Sequence, residues 1–291
     1  MIIDVHAHTS NRLLRNLHVA TATTLDLKKL AKEFGVSKIV LMATYFPFKG
    51  TGVYNADLLN RINGSALFLP FGSLDAMNNL PSGLSELGRL VELDLLSGLK
   101  LYPGYQDFDL AGKQLDALYK MASAYNLPVA IHSGELHHCC PKNETGLRSC
   151  LANSGRCPID ELGYLSHPSS IAGVVRKFPA VNFILSHLSN PFFEELRQVM
   201  RECPNVYTDI SGQFLSESEE STAEYKTLIS GEIKKFLDLP EGTSRLMFGT
   251  DFPIQSYNDS IELVESLGLS ANEKKMVYFK NAARLLGLKE A

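Results

Sequence analysis

Short, nearly continuous apolar runs bounded by turn residues recur along this chain and alternate with longer amphipathic stretches. After the opening segment Ile2–His8, the runs are Val36–Ala43, Ala66–Phe71, Gly98–Tyr102, Pro128–Ser133, Val181–His187, Val206–Ser211 and Arg245–Asp251. Runs of this length without polar alternation suit strands covered on both faces, as in parallel sheets. Between them the periodicity and caps predict helices near Leu25–Phe34 (closed by Gly35), Asn55–Ile62, Ser85–Leu95, Leu110–Tyr125, Pro168–Phe178, Phe192–Glu202 and Thr222–Phe236. Two more close the chain, near Asp259–Leu267 and Ala271–Leu286. Pro70 makes the end of the third strand irregular, and Thr44–Tyr54, with Pro47, Gly50 and Gly52, reads as a loop.

Strand and helix thus repeat at roughly thirty residues, the spacing of βαβ crossovers and parallel pairing. Eight such units predict an α/β fold of the (β/α)8 TIM barrel type, in one domain over residues 1–291. A doubly wound open sheet is the alternative, but no glycine-rich phosphate-binding turn follows the first strand. Composition narrows the function. With 45% hydrophobic and 21% charged residues, a formal charge of −4 and a pI near 6.1, the chain has the balance of an ordinary globular protein without a nucleic-acid or anionic-membrane footprint. No apolar run approaches the roughly 18–20 residues of a membrane span, and the N-terminus opens on a strand, so a cytoplasmic protein acting on small molecules is expected. The five cysteines are odd in number, and four crowd between Cys139 and Cys157, unlike a disulfide framework.

In a barrel the active site assembles at the C-terminal ends of the strands. The polar residues predicted there are His6 and His8 on strand 1, Lys100 on strand 4, His132 on strand 5, His187 on strand 6 and Asp251 on strand 8. Strand alternation places Asp4, His6 and His8 on one face, with Ile3, Val5 and Ala7 on the other, so two imidazoles at i and i+2 can reach one ion. Singly, each residue has a bland reading: a hydrogen-bonded structural histidine, a solvated lysine, an aspartate at a turn. Jointly they make a metal site. Lys100, between Leu99 and Leu101, is costly to bury unless paired, neutral or carboxylated. Imidazoles with a carboxylate suit zinc, and suit manganese, iron or nickel less distinctively.

The ordered segments IDVHAH, GLKLYPGYQDFD, PVAIHSGE, VNFILSHLSNP, NVYTDISG, MFGTDFP and FKNAARLLGL resemble the amidohydrolase superfamily over residues 2–288. They are most similar to the branch holding aminocarboxymuconate-semialdehyde decarboxylase-like enzymes and metal-dependent hydrolases. The resemblance implies a (β/α)8 barrel with His6, His8, His132 and Asp251 as ligands of a divalent metal, Zn2+ by preference. It implies His187 beside the metal as an acid/base or polarising group or, with a carboxylated Lys100, as a ligand of a second ion. Asn281, in the closing motif, reads as structural.

The expected reaction is metal-assisted hydrolysis of an amide, lactone or ester of a small anionic molecule, with Asp251 as base and His187 assisting. A non-oxidative decarboxylase with the same ligands is the alternative, and a catalytically silent metal-binding scaffold is the reading from another class. Arg12, Lys49, Arg148 and Arg156 fall on predicted top-face loops and could meet a carboxylate; the resemblance also leaves room for a homo-oligomer, since members of the family often self-associate. One departure from the resemblance is the Cys-rich insertion at about 134–166, with His137, His138, Cys139, Cys140, Cys150 and Cys157. Reduced surface thiols are the plain reading, a structural zinc or a disulfide the other, and the loop is placed as a lid over the mouth.

Overall fold

The structure, a computed structural model, describes residues 1–137, 149–150, 155–219 and 221–289. Eight parallel strands form one sheet in chain order: β1 (Ile2–Ala7), β2 (Val36–Met42), β3 (Phe68–Gly72), β4 (Gly98–Leu101), β5 (Val129–Ile131), β6 (Phe183–Leu185), β7 (Val206–Asp209) and β8 (Leu246–Met247). The sheet curls back on itself. Val5 N donates to Phe248 O at 3.0 Å and Asp251 N to His6 O at 2.7 Å, joining the β8 end to β1. The fold is the expected (β/α)8 TIM barrel.

At least one helix follows each strand, the main ones being α1 (Thr24–Phe34), α2 (Asn55–Ile62), α3 (Leu80–Glu92), α4 (Asp116–Ala124), α5 (Pro168–Lys177), α6 (Phe193–Glu202), α7 (Ala223–Leu237) and α8 (Tyr257–Ser266). Their limits follow local chemistry. Thr23 and Asp26 make a reciprocal capping box at the start of α1, and Gly35 ends it at φ 68°. The amphipathic helix predicted from Ser85 begins at Leu80, because Pro81 fits the first turn, where its missing N–H costs nothing. The helix predicted from Leu110 starts at Asp116, after a 3₁₀ turn at Lys113–Leu115. Thr44–Tyr54 contains an antiparallel hairpin, Thr44–Phe46 against Thr51–Val53, turning through Gly50 at φ 57°. The last predicted helix is present, with a π-helical turn at Met276–Lys280 between Ala271–Lys275 and Asn281–Leu285.

Two apolar layers divide the side chains. Ile3, Val5, Val40, Met42, Phe71, Ala130, Ile184 and Met247 fill the barrel and meet Phe279 and Ala282 of the C-terminal segment. Ile39, Leu41, Leu99, Leu101, Val129, Ile131, Phe183 and Leu185 face the helices. Lys100, between Leu99 and Leu101 on β4, therefore points into the barrel. Asn281 is fully buried, and its Nδ2 donates to Thr243 O (2.6 Å) and Leu246 O (2.7 Å), tying the closing helix to the entry of β8. Among the described residues no helix is long and apolar enough to cross a membrane.

Candidate metal centre

Strict alternation along β1 does not hold. Its pairing with β2 shifts register between Asp4 and Ala7, and the extra residue resets which face each side chain takes. Ile3 and Val5 point into the barrel, whereas Ala7 packs with the outer layer. Asp4 consequently does not share the face of His6 and His8, as the sequence pattern predicts. It is buried beside the β8 end, where it accepts hydrogen bonds from Thr250 Oγ1 (2.7 Å), Thr250 N (3.1 Å), Tyr257 Oη (2.8 Å) and His6 N (3.1 Å). Burial outweighs these bonds and raises its pKa to about 6.

His6 and His8 remain neighbours, with ring centroids 5.3 Å apart, and both meet Asp251 from the loop after β8. Asp251 Oδ1 lies 3.1 Å from His8 Nε2 and 3.6 Å from His6 Nε2. The other nitrogen of His6, Nδ1, sits 3.4 Å from Asp209 Oδ2 at the end of β7. Burial, with help from the charge of Lys100, lowers the His6 pKa to about 3, so the ring is neutral. Its single proton belongs on Nδ1, facing the Asp209 carboxylate, and Nε2 presents a lone pair to another carboxylate oxygen. Two acceptors facing each other call for a cation between them. Donor atoms of His6, His8 and Asp251 all lie within 4.8 Å of one another. Ligands at about 2.0–2.2 Å from one zinc sit roughly 3–3.5 Å apart, so the set fits an ion after small adjustment.

Asp209 gathers a second arrangement. Its Oδ1 accepts from His187 N (3.2 Å), from Ser211 N (3.1 Å) and from the Ser211 hydroxyl. His187 Nδ1 lies 3.1 Å from Ser211 O and 2.9 Å from Ser211 Oγ, and its ring is 4.6 Å from that of His6. Burial lowers the His187 pKa despite the nearby Asp251 and Asp209 carboxylates. A neutral His187 that donates Nδ1–H to the Ser211 carbonyl keeps its lone pair on Nε2. Burial also opposes ionisation of both aspartates, but hydrogen bonds and imidazoles overcome it and hold Asp209 and Asp251 well below the usual carboxylate range. Two of these residues stand in left-handed backbone, His187 at φ 64° and Asp251 at φ 56°, a conformation that non-glycine residues seldom adopt outside sites that need a particular aim. Gly212 completes the floor at φ 60°: a Cβ there would lie 2.8 Å from Asp251 Oδ2 and 2.9 Å from His187 Nδ1.

Residues 3–288 match the amidohydrolase family. The chain belongs to that family. Among the solved structures that share the fold of this amidohydrolase are the following three. One is a zinc-bound amidohydrolase from Burkholderia multivorans (18% identity, 99% and 100% of the two chains covered, TM-score 0.69). Another is a "probable 2-pyrone-4,6-dicarboxylic acid hydrolase" from Acinetobacter baumannii with citric acid bound (13%, 99% of both chains, TM-score 0.66). The third is 5-carboxyvanillate decarboxylase from Sphingomonas paucimobilis (15%, 99% of both chains, TM-score 0.66). No curated protein matches the amidohydrolase significantly in sequence.

The remaining predicted residues sit around this core. In the amidohydrolase His132 stacks edge-on against His187, centroids 5.1 Å apart, with Nε2 3.2 Å from Glu135 O, which leaves Nδ1 as its second nitrogen. It stands outside both compact donor clusters among the described residues. Lys100 is 1% exposed, donates to Ser186 Oγ at 3.0 Å, and has its pKa lowered by burial to about 8. Arg12 and Lys49 line a cavity of about 380 Å³ that also reaches His6, His8, His132, His187 and Asp251. Cys157 is no surface thiol: it is 2% exposed and packs with Tyr102, Tyr105, Leu136 and Ile159, since the chain folds back there under the aromatic wall of the mouth. His138, Cys139, Cys140 and Arg148, and the side chains of Cys150 and Arg156, lie outside the described residues. His137 is described; its backbone N donates to Tyr105 Oη at 2.7 Å.

Sequence reasoning missed Asp209, Ser211 and Gly212. Asp209 lies two residues before the end of the run Val206–Ser211, so a survey of the polar residues near every strand end would have found it. The contact between its carboxylate and His6, 203 positions away, has no counterpart in local sequence.

Proposed function

We propose that this chain is a zinc-dependent hydrolase that adds water to an amide, lactone or ester carbonyl of a small anionic molecule, with residues 1–291 forming one catalytic domain. The observation that carries the reading is Asp251 Oδ1, set 3.1 and 3.6 Å from the Nε2 atoms of His8 and His6 at the barrel mouth. His6, His8 and Asp251 would hold the ion, with His132 as the fourth ligand through the nitrogen that Glu135 O leaves unused. Bound there, a divalent ion supplies a water acidified to a pKa of about 7 and a Lewis acid for the carbonyl oxygen.

The chain's own residues handle the proton. Asp251, held ionised by the surrounding imidazoles, orients the water, accepts its proton as the carbonyl is attacked, and returns that proton to the leaving atom when the scissile bond breaks. His187 stands beside it with an unprotonated Nε2, placed to relay that same proton from the water to the leaving atom. Lys100, buried and bonded to Ser186 Oγ, is placed to neutralise the combined charge of Asp209 and Asp251, which in turn raise its pKa against the effect of burial. A carboxylated Lys100 with a second ion at His187 is the binuclear form of the same proposal.

One observation favours the second reading, a non-oxidative decarboxylase of an aromatic or unsaturated acid: Phe46, Tyr102 and Tyr105 wall the cavity beside the donor cluster. Turnover of lactones, esters, amides and aromatic acids in ¹⁸O-labelled water separates the two. Hydrolysis places one labelled oxygen in the product; decarboxylation releases carbon dioxide and leaves the product unlabelled. The Asp251→Asn variant is expected to lose at least about a thousandfold in kcat with its circular dichroism unchanged. A rate near that of the wild type would sink the assignment of Asp251.

A further inference from the structure

Arg61, on α2, lines the same 380 Å³ cavity as His6 and His187. Its side chain is only 14% exposed, and Nη2 pairs with Asp57 Oδ2 at 2.6 Å, one turn earlier. Nε and Nη1 are buried and have no hydrogen-bond partner among the described residues. Other withdrawn arginines of this fold are better satisfied. Arg197 meets both Glu194 and Glu232, and Arg245 spends its two terminal nitrogens on the carbonyls of Met200, Cys203 and Pro240. A guanidinium carries five N–H donors, and leaving most of them desolvated and idle is costly unless a ligand completes them.

The charge balance of the cavity points the same way. Among its described lining residues Arg12, Lys49 and Arg61 are cationic, and the one carboxylate, Asp251, is committed to the donor cluster. Neither Arg12 nor Lys49 forms an ion pair with a described residue, and Lys49 Nζ lies 5.4 Å from the ring centres of both Phe46 and Tyr105. We propose that Arg61 is a specificity-determining residue that grips a carboxylate remote from the reacting group, so that the substrate is a flat carboxylic acid bearing a second polar function for the donor cluster. The body of that substrate lies against Phe46, Tyr102 and Tyr105; its carboxylate completes the guanidinium. The inference rests on this cavity being the substrate pocket, as the proposed function has it.

The test uses zinc-loaded protein and two rigid probes, isophthalate and 3-carbamoylbenzoate, which differ only in whether the second substituent is a carboxylate or a neutral amide. Calorimetry is expected to show wild type binding isophthalate about tenfold or more tightly than the amide. Arg61→Met should erase that preference with zinc content unchanged, and Arg61→Lys should keep at least about a threefold part of it. Should Arg61→Met fail to fold, Arg61→Gln against Arg61→Lys makes the same comparison. No preference in wild type, or one that survives removal of the charge, overturns the proposal. The calorimetric readout does not depend on turnover, so a failed hydrolase reading leaves the binding result standing. Conversely, metal-dependent turnover of carboxylates that ignores Arg61→Met would overturn the role of Arg61 alone.

Discussion

His6 shows how much one side chain can depend on a distant partner. Its Nδ1 faces Asp209, and that contact orients Nε2 toward Asp251. If an ion were bound by Nε2, Asp209 would be the outer carboxylate that sets the tautomer of His6 and raises its basicity as a ligand. Asp209→Asn keeps the shape and removes the charge. Zinc affinity, read by competition with a chelator, is expected to fall about 10- to 100-fold. An unchanged affinity would mean that Asp209 serves only the backbone amides of His187 and Ser211. Asp4 acts differently, because its four bonds go to the strand ends and to Tyr257 rather than to the cluster. Thr250→Val removes the Oγ1 donor and leaves a buried carboxylate oxygen with fewer partners, so urea unfolding should show a loss of about 1–3 kcal/mol.

At the scale of elements, the loops after the strands do more than connect. The register shift in β1 brings His6 and His8 round to the mouth, and left-handed backbone at His187 and Asp251 aims the other two. On the rim, Asp259 of α8 accepts from Lys226 Nζ of α7 (2.7 Å), from Ser256 Oγ (2.9 Å) and from the Ser216 hydroxyl, while Ser256 caps α8 by accepting from Asp259 N. Burial opposes its charge, but Lys226 and the two serines prevail and lower its pKa from the ordinary value of 3.8. A carboxylate depressed in the folded state lends stability that is present above about pH 3.8 and disappears as pH falls through the lowered value. Asp259→Asn should therefore cost about 1–2 kcal/mol at pH 7, with the gap to wild type narrowing below about pH 3.8 in denaturant titrations. A gap independent of pH would assign the loss to packing.

For the molecule as a whole, the donor cluster joins the first strand to the loop after the eighth, so an ion held there would stitch the barrel shut. Zinc at about a hundred times its dissociation constant should add about 2.7 kcal/mol to the folded state. For a chain of this size that is roughly 4–5 °C in melting temperature, lost on chelation and regained on adding zinc. A melting curve indifferent to chelator and zinc would count against an ion at His6, His8 and Asp251. Much of this architecture could be read from the chain alone. Eight apolar runs alternating with amphipathic stretches determined the barrel, because burial on both faces of a parallel sheet leaves a local, periodic mark. The same runs end in His6, His8, Lys100, His132, His187 and Asp251, and a barrel sends its strand ends to one mouth. Tertiary structure alone decided the rest. Asp4 left the expected face because a bulge changes phase without changing composition; Asp209 and Arg61 took their places because carboxylate–imidazole contact and desolvation of a guanidinium arise only when distant segments pack. Hydrophobic periodicity is written residue by residue, whereas the partner, tautomer and charge state of a buried group belong to the fold.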